Sequence, residues 1–127
     1  MENEVIETPT AKFWLRGDGI VQAVNLSRSQ ITLADAKENV TAVLKVANGK
    51  RVPLFVDTTS VRSVTREARL YYREEAAVHA TAAAILVGST ISRVIANFVV
   101  GLDNPAIPAR LFTSETEAIE WLKGFLE

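Results

Sequence analysis

The stretch Arg51-Val-Pro-Leu-Phe-Val-Asp-Thr-Thr-Ser-Val-Arg-Ser-Val-Thr-Arg-Glu-Ala-Arg-Leu-Tyr-Tyr-Arg-Glu-Glu-Ala76 decides how the chain is read. Val52 to Val56 is an apolar, β-prone run, and Pro53, which cannot donate to a strand ladder, belongs at its start. The run ends at Asp57 and passes through the hydroxyl-rich Thr58-Thr59-Ser60. A helical pattern follows from near Ser63 or Thr65 to near Val78, with Val64, Ala68, Tyr71, Tyr72 and Ala76 facing inward. Strand, loop and helix in that order form one unit of an α/β protein, where functional groups collect at strand-to-helix junctions.

Working outward, the downstream run Thr81 to Val87 is continuously apolar, as expected of a central strand covered on both faces. Gly88-Ser89-Thr90 turns it into an apolar helix to about Leu102, with Ile91, Val94, Ile95, Phe98 and Leu102 as its core stripe. Ala109 to Phe112 is a short strand. Ser114 with Glu117 forms a capping-box pair for a last helix whose inner face is Ala118, Trp121, Leu122 and Phe125. Upstream, Ala11–Leu15 and Ile20–Val24 flank an Asp18-Gly19 turn and read as a hairpin. After a polar connection from Asn25 to Gln30, Thr32 with Asp35 caps a helix that buries Leu33, Ala36, Val40, Val43, Leu44 and Ala47 and ends at Asn48-Gly49. Lys37, Glu38, Thr41 and Lys45 are its solvated face. Residues 1–9 are polar and read as a loose arm; residues 10–127 make a single domain. The order β-β-α-β-α-β-α-β-α implies a mixed, mostly parallel sheet with an N-terminal antiparallel hairpin and helices packed on it.

Composition sets the outer limits. A chain of 127 residues with 48% hydrophobic and 23% charged content is one globular core. A formal net charge of -1 argues against a nucleic-acid partner. The absence of cysteine removes disulfides and thiolate sites and points to a reducing cytoplasm. The acidic start is not a signal peptide, and no apolar run is long enough for membrane insertion.

Val52-Pro-Leu-Phe-Val-Asp57, Glu67-Ala-Arg69, Ala80 to Val87, Asn104-Pro-Ala-Ile-Pro-Ala-Arg-Leu-Phe-Thr-Ser and Glu117-Ala-Ile-Glu-Trp-Leu-Lys123 together cover most of the chain from about residue 11. In these segments and their order the chain resembles the STAS-like group, whose best known members are bacterial anti-sigma factor antagonists, and more closely an uncharacterised bacterial branch of that fold. The resemblance implies a regulatory, protein-contacting role. It does not carry over the antagonists' phosphoserine. Aligned at Asp57, that position falls near Arg66 or Glu67, and the hydroxyls of Thr58, Thr59, Ser60, Ser63 and Thr65 are displaced in register.

Four candidate groupings remain. Arg62, Arg66, Arg69 and Arg73 share one face if the helix begins early enough, and could clamp a phosphate or carboxylate; the alternative is a solvated face balanced by Glu67, Glu74 and Glu75. Ser89 and Thr90 stand at a helix N-terminus suited to an anion or to simple capping, without the glycines and lysine of a P-loop. His79, the single histidine, builds no zinc site and sits at a helix end. Val99 and Val100 extend the apolar helix sideways into a surface that a second subunit would cover. No metal site and no cofactor is implied.

Two classes of function fit these residues. The first is a non-enzymatic regulatory or binding module that contacts a protein or holds a small ligand. The alternative is a carrier or enzyme acting on a small anionic or amphipathic ligand near the 57–66 loop, with Asp57, Thr58, Arg62, Arg66, Arg69, Tyr72, Ser89 and Thr90 as its contacts. A shallow surface and a protein partner would favour the binding module, and an enclosed pocket lined by Asp57, Arg62 and Tyr72 the alternative.

Overall fold

The computed structural model describes residues 4–26, 29–88 and 107–126. The expected strands are present: β2 (Ala11–Leu15), β3 (Val21–Asn25), β5 (Val52–Asp57), β7 (Ala80–Leu86) and β8 (Ala109–Phe112). Three short strands join them, namely β1 (Ile6–Glu7), β4 (Ser29–Ile31) and β6 (Val61–Val64). The helices are α1 (Leu33–Val46), α2 (Arg66–His79) and α3 (Glu115–Lys123).

A six-stranded sheet runs β1-β2-β3-β5-β7-β8, antiparallel through β3 and parallel beyond it. Alternation along β5 divides the core. Phe55, fully buried, faces α3 with Ile20, Ala82, Ala84 and Phe112, where Leu122 is also fully buried. A leucine buried in this way contributes about 1.5–3 kcal/mol. Leu54 and Val56 point to the opposite face, which carries α1 and α2.

Local chemistry explains the boundaries. Thr32 Oγ1 accepts from Asp35 N–H while Asp35 Oδ2 accepts from Thr32 N–H, a complete capping box. Thr65 and Ser114 cap α2 and α3 by accepting from Ala68 and Glu117 N–H. The Ser114 cap is one-sided among the described residues, because no bond from Glu117 returns. Gly49 (φ 73) closes α1, as its sequence position implies, and Asn48 (φ 55) shares the left-handed conformation. In the β2–β3 turn, Gly19 has φ 91 and Arg16 N–H donates to Ile20 O at 2.8 Å. Burial works to raise the Asp18 carboxyl in this turn. The Arg16 side-chain hydrogen bond, the Ile20 N–H and the Arg16 charge outweigh it and leave the group below its ordinary value.

The structure departs from the sequence expectation at three places. The stretch read as a loose arm contains β1, because Ile6 pairs with Phe13 and packs into the core. The connection after Asn25 and the hydroxyl-rich loop after Asp57 contain β4 and β6, which pair in parallel and bury Ile31, Val61 and Val64 against Ala36 and Ala68. On α1 the fully buried positions are Ala36, Asn39, Ala42 and Val46, while Leu33, Val40, Val43 and Leu44 are only half-buried. The small alanines let α1 approach the sheet, and the larger residues fall to either side of that contact. The expected helix from Ser89 to Leu102 lies outside the described residues, with its site residues Ser89, Thr90, Val99 and Val100.

Candidate functional site

A cavity of about 150 Å³ lies between the sheet and the α1–α2 pair. Its floor is the sheet face carrying Leu54, Val56, Ala83 and Ile85. Val40 and Val43 of α1 form one wall, Tyr72, Ala76 and His79 of α2 another, and Ile31, Val61 and Val64 of the β4–β6 ribbon close one side. The space follows from residue size: Ala76, Ala80 and Ala83 meet where α2 crosses β7, and methyl groups leave unfilled volume that valines would occupy.

Polar groups enter this apolar lining at few points. Asn39, only 3% exposed, donates through Nδ2 to Thr10 Oγ1 at 3.0 Å and to the Tyr72 hydroxyl at 2.8 Å. Its Oδ1 accepts from Thr8 Oγ1 at 2.6 Å. One amide thus joins the β1–β2 connection, α1 and α2. Burial pushes the Tyr72 phenol up to about 12; the Asn39 hydrogen bond works against this rise and the charge of Asp35 adds to it. Tyr72 is therefore a neutral hydroxyl at any physiological pH. Further along α2, His79 Nε2 lies 3.0 Å from Glu75 Oε1, and both residues line the cavity. Asn25 Nδ2 donates to Asp57 O at 2.9 Å, and Thr58 Oγ1 donates to Leu86 O at 2.8 Å, so these two lining residues tie the strand ends together. Among the described residues no group of three or more His, Cys, Asp or Glu side chains could hold a metal ion.

The family model described as "Domain of unknown function (DUF7793)" matches residues 13–126. The chain belongs to this family. Among solved structures, this DUF7793 chain is similar to an uncharacterized protein of the DUF3478 family from Shewanella loihica PV-4, described as having a SpoIIAA-like fold. The identity is 11% over 95% of this chain and 92% of that one, with a TM-score of 0.58. The fold is therefore SpoIIAA-like, that is STAS-like, as the sequence resemblance implies. A protein of unknown function from Arthrobacter sp. FB24 is 29% identical over 92% of this chain and 95% of that one, with a TM-score of 0.34. No curated protein matches the chain.

The site residues expected from the sequence are dispersed in the DUF7793 structure. Tyr72 and Thr58 line the cavity. Asp57 does not: its Oδ1 accepts from Thr59 N–H at 2.9 Å and Thr59 Oγ1 at 2.6 Å, which commits the carboxylate to the turn leading into β6. The arginine stripe is divided, because Arg62 lies in β6 and α2 begins only at Arg66. Arg62, Arg66 and Arg73 are exposed, while Arg69 is half-buried and donates from Nη1 to Val64 O at 2.8 Å. Asn39 went unrecognised as a site residue. Its signal was present, since position 39 follows Ala36 by three and precedes Val43 by four, on the inward stripe. Among the described residues no helix is long and apolar enough to cross a membrane.

Proposed function

We propose that this chain is a non-enzymatic, ligand-responsive regulatory module, and that the cavity between the sheet and α1–α2 holds a small, mainly apolar molecule. The observation that carries this reading is the cavity itself: an apolar space of about 150 Å³ with a few placed polar groups. An apolar cavity of roughly this volume takes one benzene-sized molecule and is too small for a drug-sized ligand. The bound molecule would bridge α2, α1 and the β4–β6 ribbon, so occupancy would stiffen the elements that the fold otherwise joins through small side chains. The 57–66 loop is less favoured as a site for an anion, because Asp57 is used in its turn and Arg62 points to solvent from a strand.

The test is a titration of the isotope-labelled protein with benzene, followed by methyl NMR. Shifts confined to the methyls that line the cavity, Val40, Val43, Val56 and Ile85 among them, are expected, and Ala83→Leu, or Ala76→Leu as a second filling variant, should abolish them. Absence of shifts in the native chain, or equal shifts in both filled variants, contradicts the proposal.

A further inference from the structure

The orientation of Asn39 determines what the cavity offers a ligand. Thr8 Oγ1 already accepts from Ala11 N–H at 3.1 Å and Thr10 N–H at 3.4 Å. Its own hydrogen has two acceptors within reach, Ala11 O at 3.4 Å and Asn39 at 2.6 Å, and the shorter contact takes it, since 2.6 Å is an O–H···O length and short for N–H···O. The atom of Asn39 facing Thr8 is therefore the oxygen, and the amide nitrogen faces Thr10 and Tyr72. It follows that the Tyr72 hydroxyl accepts from Asn39 and keeps its hydrogen to donate. Among the described residues, no acceptor takes that hydrogen. The described residues lining the cavity include no lysine or arginine, and the one carboxylate among them, Glu75, is an acceptor paired with His79.

Resting on the cavity being a ligand site, we propose that its occupant is an uncharged, ring-sized molecule presenting one acceptor oxygen, as a cyclic ketone does, to the hydroxyl of Tyr72. An anion would enter a nearly apolar space beside the Glu75 carboxylate, where no lysine or arginine among the described residues meets it, which is unfavourable. The volume admits a single ring. The raised pKa of Tyr72 keeps the donor intact across the range in which the protein would work.

The experiment compares cyclohexanone, benzene and benzoate by NMR titration against the full chain and its Tyr72→Phe variant. Cyclohexanone should bind the native chain roughly three- to tenfold more tightly than benzene, the gain expected of one hydrogen bond. In Tyr72→Phe the ratio of cyclohexanone to benzene affinity should fall to about one, and benzoate should not bind. A downfield carbonyl ¹³C shift of bound cyclohexanone in the native chain reports the hydrogen bond without any variant. Cyclohexanone no tighter than benzene, a preference surviving in Tyr72→Phe, or benzoate binding comparably each overturns the assignment while leaving the cavity as a site. If benzene itself fails to bind, the underlying ligand-site reading falls as well.

Discussion

Replacing Asn39 by leucine tests the polar joint that holds the helices, the sheet edge and the cavity together. Leucine has a similar shape, so the change removes hydrogen bonds with little change in volume. The amide makes three bonds, to Thr8, Thr10 and Tyr72, at 2.6, 3.0 and 2.8 Å. Tyr72 can turn its hydroxyl into the cavity, and Thr8 retains two backbone N–H donors, so their losses are small. Thr10 is 6% exposed and is left without the amide, at a cost of about 1–3 kcal/mol for a stranded buried group. With the other two bonds lost and some apolar gain from leucine, the net destabilisation is about 2–3 kcal/mol. For 127 residues the unfolding entropy is about 0.27 kcal/mol/K, so Tm should fall by about 7–11 °C. Urea titration monitored by tryptophan fluorescence measures the loss, with an unchanged m value showing that compactness is preserved. Amide exchange at Thr10 and Ala11, which donate to Thr8, should accelerate at the same time. A loss under about 0.5 kcal/mol would refute the claim that this amide is a joint, since an exposed surface substitution costs no more.

Other perturbations report on separate parts of the argument. Tyr72 ionises near its ordinary value when unfolded and at about 12 when folded, so its contribution is complete below pH 10 and is lost as pH rises toward 12. The stability difference between the native chain and Tyr72→Phe should therefore move by about 2–3 kcal/mol in favour of phenylalanine between pH 9 and 12, and a constant difference would contradict it. Asp18 runs the other way. Its depressed folded value supports stability above the unfolded carboxyl value and loses it as pH falls through the folded one, so Asp18→Asn should be less stable at pH 7 than the native chain and nearly equal to it in acid. Gly19→Ala places a Cβ at φ 91 and 3.3 Å from Leu126 Cδ2; it should cost about 1–2 kcal/mol in a urea melt, and a neutral effect would mean the turn relaxes freely.

The sheet was legible wherever burial is continuous. Val52 to Val56 and Ala82 to Val87 have nothing but apolar side chains to bury, and the pairs Thr32–Asp35 and Ser114–Glu117 mark helix starts by the bonds they can make. The short strands β4 and β6 were hidden because their pairing is only with each other, and hydroxyls surround Val61 and Val64 in the sequence. Asn39 was hidden for a different reason. Periodicity assigns inward positions by hydrophobicity, and a buried amide is visible only once its partners on the β1–β2 connection and on α2 are known. The cavity is further from sequence still. The alanines at 76, 80 and 83 mark small side chains facing the core, but whether the surrounding elements close around that space depends on how far Tyr72 holds α2 from the sheet. The four arginines would share one face only if the helix began before Arg62, and β6 occupies the first part of that span.

The central claim is that the space between the sheet and α1–α2 takes up a ring-sized apolar molecule, and benzene titration followed at the Val40, Val43, Val56 and Ile85 methyls tests it most directly. Saturable shifts at those methyls are expected in the native chain, as is their disappearance when Ala83→Leu fills the space. Native methyls that stay unmoved at saturating benzene would contradict it.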